Sequence, residues 1–279
     1  MTCKVIVNRD SGNCRKLDLP ALLQMFGDRR VVVEEIDRNC AWSADGADEV
    51  VVCGGDGTLY NALNKCHDKP LYYVPCGTLN EASRLGKGLN FVGRANDKLF
   101  GYVCATGSFT EIGYCAKCND KRRFKWLAYM PQVLKWYTSR SITARINVDG
   151  RDLSGTYTLL MAVKSKVCFG FSFNKMYNKK PQLYLLGIRS CGEDCLAARV
   201  AMFAPFFRVF FCGVGHPTIN KRWFMVPVEH AEIETDEPQN WCMDGEKAQL
   251  DGKVTLSYES REAVRIIEPK MIKSGRRPT

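Results

Sequence analysis

Four short stretches hold residues whose types and spacing could do chemistry. In "EVVVCGGDGTLYNALN" (Glu49–Asn64), Gly54, Gly55, Asp56, Gly57 and Thr58 stand between an apolar run and a helix-like segment. Glycines there permit backbone angles that other residues resist, and they let a ligand approach the main chain. A helix from Leu59 would aim its free N–H groups at that turn, which favours a phosphate. An aspartate beside a polyphosphate repels it, unless Asp56 works through a cation or binds a sugar hydroxyl. The plainer alternative is a tight strand–helix turn with Asp56 as the N-cap.

"LYYVPCGTLNEASRLGKG" repeats the arrangement, with an apolar strand at Leu71–Val74, a turn at Pro75, Cys76 and Gly77, and then Thr78, Asn80, Glu81 and a short helix. Upstream, the strand ending in "VNRDSGN" places Asn8, Ser11 and Gly12 on the same rim. All three turns fall at the carboxyl ends of strands, where open α/β folds bind ligands. The fourth stretch, "MDGE" (Met243–Glu246), sets Asp244 and Glu246 around a glycine. By itself it reads as an exposed β-turn, as does Asp251-Gly252.

These turns need elements to hold them. Lys4–Asn8, Val31–Ile36, Glu49–Cys53 and Leu71–Val74 are short β-rich runs, with helix-like segments near Pro20–Phe26, Leu59–Lys65 and Glu81–Leu85 between them. Continuous apolar strands alternating with helices predict a parallel sheet covered on both faces, over roughly the first 110 residues. The character then changes. Phe109–Ala116, Ile142–Val148, Tyr157–Val163, Gln182–Ile188, Trp223–Val228, Ala231–Thr235 and Lys253–Tyr258 read as strands of a mostly antiparallel half, and Asp149-Gly150 is a hairpin turn signal. Two helices interrupt it: Lys125–Tyr137, and one that follows the capping box Ser190–Glu193 and runs to about Phe211. The sequence shows no internal repeat, and its tail "KMIKSGRRPT" is basic.

The 279 residues, 46% hydrophobic and 25% charged, suit one large or two medium domains. Forty Lys and Arg against 30 Asp and Glu leave a net charge of +10, which favours nucleotides, nucleic acid or acidic headgroups as partners without choosing among them. The 14 cysteines are scattered, and "MTCKVIVNRD" has no basic-then-apolar signal region, so a cytosolic chain with reduced thiols is expected. No run reaches the roughly 18 to 20 uncharged apolar residues of a membrane span; the nearest, Ala201–Gly215, carries Arg208.

In this order, "VNRDSGN", "GGDGT", "PCGTLNEASR" and "MDGE" resemble the diacylglycerol kinase catalytic family, which includes bacterial lipid kinases and sphingosine kinases. "GGDGT" alone is shared with NAD kinases and, loosely, phosphofructokinases; the combination is narrower. The resemblance implies an NAD kinase-like α/β nucleotide domain at 1–110, a β-rich, sandwich-like lipid-substrate domain at 111–261, and a return of 262–279 to the first domain. It also implies ATP-dependent transfer of the γ-phosphoryl group to a lipid hydroxyl, such as that of diacylglycerol, with Mg2+. The setting would be phospholipid biosynthesis by a cytoplasmic protein peripheral on the inner membrane face. By the family motifs Asn8, Gly12, Gly54, Gly55, Asp56, Gly57, Thr58 and Thr78 would contact the nucleotide, joined on the rim by Ser11 and Gly77. Asn80 and Glu81 fall near phosphate and metal, with Glu81 the candidate metal ligand. Asp244 and Glu246 fall where a carboxylate helps deprotonate the acceptor hydroxyl, and Asp56 is the third candidate catalytic carboxylate. No nucleic acid partner is implied, and a homodimer is left open.

The chain departs from the family in places. Arg9 follows Asn8 where Asn-Pro is usual, Leu79 and Glu81 replace a glycine and an aspartate, and the linker before "GGDGT" is short. "CAKCNDKRRFKW" (Cys115–Trp126) passes straight to a helix, and "NKKPQLYLL" (Asn178–Leu186) has no acid where an Asp-Asp-Gly motif is expected. Two alternatives follow: a catalytically impaired nucleotide- or lipid-binding homologue, or an NAD kinase relative. The second is disfavoured because Asn80-Glu81 lies inside a Gly-Thr loop.

Other features have bland readings. Cys115-x-x-Cys118 and Cys191-x-x-x-Cys195 could form a four-thiolate zinc site, but reduced structural thiols suit the spacing better. His67, His216 and His230 lack ligand spacing. Lys121, Arg122, Arg123 and Lys125 form a solvated basic face that could also rest on anionic headgroups. Ala201–Phe211, with five phenylalanines, reads as a helix packed on the β domain, or in part an acyl-chain access route. Walker A and Gly-x-Gly-x-x-Gly sequences are missing, which disfavours those nucleotide folds.

Overall fold

The computed structural model describes residues 1–37, 41–78, 80–83, 85, 91–108, 110, 141–168, 170–260 and 264–274. The chain divides into two compact units, Met1–Phe91 with Ser260–Thr279, and Val92–Glu259. The first boundary falls before residue 110 because the segment after Phe91 pairs into the second unit's sheet rather than the first's.

The first unit is built on β1 (Thr2–Asn8), β2 (Arg30–Ile36), β3 (Glu49–Gly54) and β4 (Leu71–Pro75). Every residue of β3 is buried, as are four of the five in β4 and the centre of β1. A strand covered on both faces cannot alternate apolar with polar, which is why these runs are continuous in Val, Ile and Cys. Val5, Val7, Val51, Cys53, Tyr72 and Val74 pack on one face with Leu22 and Phe26, the former from helix α1 (Leu19–Gln24). Helix α2 (Asp56–Lys65) packs on β3 and β4 and buries Leu59, Ala62 and Leu63. Near the C-terminus one strand (Val264–Ile266) pairs in parallel with β4, and a short helix (Pro269–Ser274) lies beside α1 with Ile272 in the same core. Residues 275–279 of the basic tail lie outside the described residues.

The order across this parallel sheet is C-terminal strand, β4, β3, β1, β2. From β1 the chain moves one way to β2, and on returning it continues the other way through β3 to β4. The strand order therefore reverses between β1 and β3. The strand tips at such a reversal are where open α/β sheets bind ligands.

The second unit holds one sheet of thirteen strands, every described pair antiparallel. They are β5 (Phe91–Ala95), β6 (Lys98–Phe100), β7 (Val103–Gly107), β8 (Ile142–Val148), β9 (Arg151–Asp152), β10 (Gly155–Val163), β11 (Leu183–Arg189), β12 (Thr218–Ile219), β13 (Trp223–Val228), β14 (His230–Thr235), β15 (Gln239–Met243), β16 (Glu246–Leu250) and β17 (Lys253–Ser260). Asp149 and Gly150 sit at φ 49° and 81°, so the hairpin signal between β8 and β9 is met.

Helix α3 (Leu196–Phe206) starts later than the Ser190 capping box predicts. The Ser190 hydroxyl instead closes a turn with the Gly192 amide, and the cap is the Cys195 thiol, which accepts from Ala198 N at 3.4 Å. Pro205 cannot donate back along the helix, and residues Phe207–Phe211 continue as a π-turn. The predicted strand Phe109–Ala116, the helix Lys125–Tyr137, the basic cluster at Lys121–Lys125 and the Cys115/Cys118 pair lie, wholly or nearly so, outside the described residues. Among the described residues no helix is long and apolar enough to cross a membrane.

Candidate functional site

Three loops leave the carboxyl ends of β1, β3 and β4, and their side chains knit them together. Asn8 Nδ2, at the end of β1, donates to Thr58 Oγ1 in the first turn of α2 at 2.9 Å. Ser11 Oγ accepts from Gly55 N at 3.2 Å. Asn13 N and Nδ2 donate to the carbonyls of Cys76 and Gly77 at 2.7 and 3.1 Å. Asp56 spends both carboxylate oxygens on the next loop, accepting from Glu81 N at 2.9 Å and Ala82 N at 3.2 Å.

Asp56 is therefore not the N-cap of its own helix; Gly55 occupies that position, and Asp56 is the first helical residue. A buried neighbour lies next to it. Burial, and after it the Asp56 charge, push the Tyr73 phenol well above its usual range.

The glycines serve a different purpose from the one their loop predicts. Gly12, Gly54, Gly55, Gly57 and Gly77 all lie outside the left-handed region, so unusual φ is not their reason. Close approach is. A Cβ on Gly77 would sit 2.7 Å from the Gly55 Cα, and one on Gly54 would run into the Thr58 side chain. A Cβ on Gly12 would sit 2.8 Å from Thr78 Oγ1. The three loops touch main chain to main chain, and any side chain at these points would pry them apart.

This closeness concentrates main-chain donors. The N–H groups of Gly12, Gly57, Thr58, Gly77 and Thr78 have no hydrogen-bond partner among the described residues. Two of them belong to the first turn of α2, where a helix has no internal acceptor to offer. One acceptor is orphaned as well. Asn80, held at φ 47° with its Nδ2 on the Gly77 carbonyl at 2.8 Å, has a buried Oδ1 without a partner. Glu81 is 5% exposed. Of the predicted rim residues, Thr78 is exposed, whereas Thr58 is buried with its hydroxyl taken by Asn8.

Asp244 and Glu246 lie in the second unit, on the two-residue turn between β15 and β16. Asp244 and Gly245 adopt φ 52° and 91°, so the predicted β-turn is there. It is not exposed at Asp244, which is 3% accessible. Its carboxylate accepts from the amides of Gly101, Tyr102 (2.9 Å) and Val103 (3.0 Å), the turn between β6 and β7, while its own N–H donates to Val103 O at 3.0 Å. Glu246 is exposed.

Sequence reasoning missed the partner of this aspartate. Lys164, at the end of β10, is fully buried, and its N–H donates to Tyr102 O at 3.0 Å. Burial drives its ammonium down to about 7, and the Asp244 charge pulls it partly back up. The signal available was a lysine closing a nine-residue strand with little else charged around it, "GTYTLLMAVK".

The described cysteines are free thiols, and three of them line the underside of the loops. Burial raises the Cys53 thiol, and donation of its S–H to the Cys14 sulfur raises Cys76 more strongly than burial does. The same Cys14–Cys76 bond lowers Cys14. Cys191 and Cys195 are exposed, and among the described residues no three His, Cys, Asp or Glu side chains gather as a metal site.

Comparison with known proteins bears on the same residues. Residues 2–96, which carry all three loops, match the family model described as the diacylglycerol kinase catalytic domain. A Streptococcus pneumoniae protein named "Putative lipid kinase" is 26% identical over 162 residues, 47% of this chain and 55% of that protein, so the match spans about half the relative's length. Two Bacillus anthracis crystal structures share the fold. One, titled a diacylglycerol kinase, superposes with a TM-score of 0.63 at 18% identity, covering 95% of this chain and 96% of its own. The other, titled a "putative diacylglycerol kinase", gives 0.68 at 19% identity over the same shares. Residues 2–96 thus match the diacylglycerol kinase catalytic domain model, and almost the whole chain shares its fold with two structures titled as such kinases.

Proposed function

We propose that the three loops bind the phosphate tail of ATP and that the chain transfers the γ-phosphoryl group to the hydroxyl of a lipid such as diacylglycerol. One observation carries the reading: five unpartnered main-chain N–H groups stand on loops packed so closely that glycine is required where they meet. Main-chain amides at a helix start favour an anion by geometry and dipole together. Phosphoryl transfer asks a protein chiefly to position oxygens and neutralise charge, and such a cradle supplies both.

The residues fit a nucleotide phosphate better than a protein-only metal site. Magnesium is commonly held by one or two carboxylates together with substrate phosphates. Glu81 and the orphaned Asn80 Oδ1 are the groups on this rim that would share in holding it. Asp56, with both oxygens on the Glu81 and Ala82 amides, holds the second and third loops in register. Asp244 stands on the motif that supplies the base in this family. To act so it would have to free one oxygen of a carboxylate that now accepts three amides.

That commitment favours a second reading, a homologue that binds nucleotide without transferring it. The acid-free segment Asn178–Leu186 points the same way. Both readings place the chain in the cytoplasm, working at the inner membrane face.

Differential scanning fluorimetry with ATP and magnesium, followed by labelled-ATP transfer to diacylglycerol in mixed micelles, separates them. A rise in Tm with transfer supports the kinase. A rise without transfer to any of a panel of lipids supports the binder. No rise in Tm overturns both.

A further inference from the structure

The sequence predicts that the phenylalanine-rich helix packs on the β domain, and only one of its faces does. Ala198, Met202, Pro205 and Val209 are buried. The other face is apolar too, and it is bare. Leu196 is 79% exposed, Val200 67%, Phe203 58%, Phe207 46% and Phe211 64%. Their spacing of three or four residues puts them in one line. The rings are ordered into a ladder: Phe203 stacks on Phe207 at 5.8 Å and 27°, and Phe207 on Phe211 at 5.1 Å and 15°. Phe171, itself 39% exposed, meets Phe211 edge-on at 5.1 Å. Soluble monomers rarely leave a contiguous apolar surface of this kind uncovered without an interaction to serve.

Charge identifies what covers it. From Leu153 to Val228 the chain carries ten Lys and Arg and two acids, Glu193 and Asp194, so most of the molecule's positive excess lies in this stretch. Asp194 is already spent on Arg199, at 2.6 Å. At the far end of the ladder, Lys175 Nζ and Arg208 reach the carbonyls of Cys212 and Gly213 at 2.8 and 2.7 Å, which sets two cations beside Phe211. Lys166, Lys179, Lys180, Lys221 and Arg222 are exposed on neighbouring segments.

We propose that this ladder is a membrane-docking surface: Leu196, Val200, Phe203, Phe207 and Phe211 enter the acyl boundary of an anionic bilayer while the surrounding lysines and arginines meet its headgroups. A helix with one face seated on a protein, the other lined with aromatic and aliphatic side chains, and cations flanking it has the composition of an interfacial anchor. An unbroken ladder of rings suits a fluid apolar layer, which needs no matching pocket. The inference deepens the membrane-face setting proposed above by naming the surface, and it can fail separately from the kinase reading, because docking to vesicles requires neither ATP nor a lipid with a reactive hydroxyl.

The test is co-sedimentation of the full chain with vesicles of phosphatidylcholine alone and of phosphatidylcholine with an equal share of phosphatidylglycerol. Binding is expected on the anionic vesicles and to fall steeply with added salt. The triple variant Phe203→Ser, Phe207→Ser, Phe211→Ser should lose it by about tenfold or more, with its unfolding midpoint and ATP-induced Tm shift retained. Lys179→Glu with Lys180→Glu, which leaves the ladder intact, should weaken it on anionic vesicles only. Failure of the wild type to bind anionic vesicles, or full binding by the triple variant, overturns the proposal. So does a concentration-dependent dimer that the serine substitutions dissociate while vesicles are ignored, since the ladder would then belong to a second copy.

Discussion

Two aspartates, one in each unit, do the same structural job in opposite settings. Asp56 lies at a half-exposed rim and ties the amides of Glu81 and Ala82 to the first turn of α2. Asp244 lies buried in a hairpin turn and ties the amides of Gly101, Tyr102 and Val103 to β15. Around Asp56 the neighbours are glycines and unpartnered N–H groups, so the clamp holds open a surface that can still accept an anion. Around Asp244 the neighbours are strands and a buried lysine, and the clamp closes a core. The difference teaches that an acidic motif residue need not first be a reacting group. A carboxylate gathering main-chain amides can build a site by placing its loops, and its surroundings decide whether anything beyond that is left to do.

The comparison breaks most sharply at the buried clamp. Asp244→Ala would strand three buried amides and remove the charge that holds the Lys164 ammonium up. A buried amide left unsatisfied costs about 1–3 kcal/mol, so three of them should cost about 3 kcal/mol or more. Urea unfolding should show a loss of that size, and one below about 1 kcal/mol would mean the amides find water. Because the lesion is structural, it should persist in protein that is never offered ATP or lipid.

Lys164 sharpens the comparison through pH. Its pKa falls from 10.5 to about 7 on folding. Between those values the unfolded chain binds the extra proton, so this group's contribution to stability rises with pH across the window and is at its most unfavourable below about 7. Buried thiols such as Cys53 and Cys104, raised by folding, work in the opposite sense as their unfolded forms ionise. The readout is therefore the wild type minus Lys164→Met. That difference should climb with pH from about 7 to 10, by no more than about 1.4 kcal/mol per pH unit. A flat difference would show that the ammonium is solvated in the folded chain.

The smallest stability effect belongs to the rim. Asp56→Ala forfeits two part-buried hydrogen bonds, a loss of about 1–3 kcal/mol. Its effect on the ATP-induced Tm shift should be proportionally larger, because the second and third loops lose their register. If the shift survives while stability falls, the clamp supports the fold and the cradle stands without it.

Much of the first unit was legible in its residues. Continuous runs such as "VVVCG" and "LYYVP" announce strands buried on both faces, and a glycine turn ahead of a helix announces a strand tip able to face a ligand. Asn8, Ser11, Gly12, Thr58, Gly77 and Asn80 do come together on neighbouring tips. The second unit was less legible. Strands β5 to β7 are short and broken by Gly93, Asn96 and Gly101, and β15 with β16 mixes Gln239, Asn240, Lys247 and Gln249 into its pattern, so periodicity alone leaves them unmarked. The buried Lys164 carries no local mark beyond its place at the end of an apolar strand.

By itself the sequence determined the parallel sheet, the three tips and the family motifs, because strand burial and turn chemistry are written in residues close together along the chain. Only the tertiary structure decided that the loop glycines serve close approach rather than left-handed φ, that Asp56 and Asp244 are clamps, and that the fold leaves one face of the phenylalanine helix uncovered. The physical reason is distance along the chain: each of those facts depends on a partner dozens to more than a hundred residues away, and a side chain's role follows from what folding brings against it.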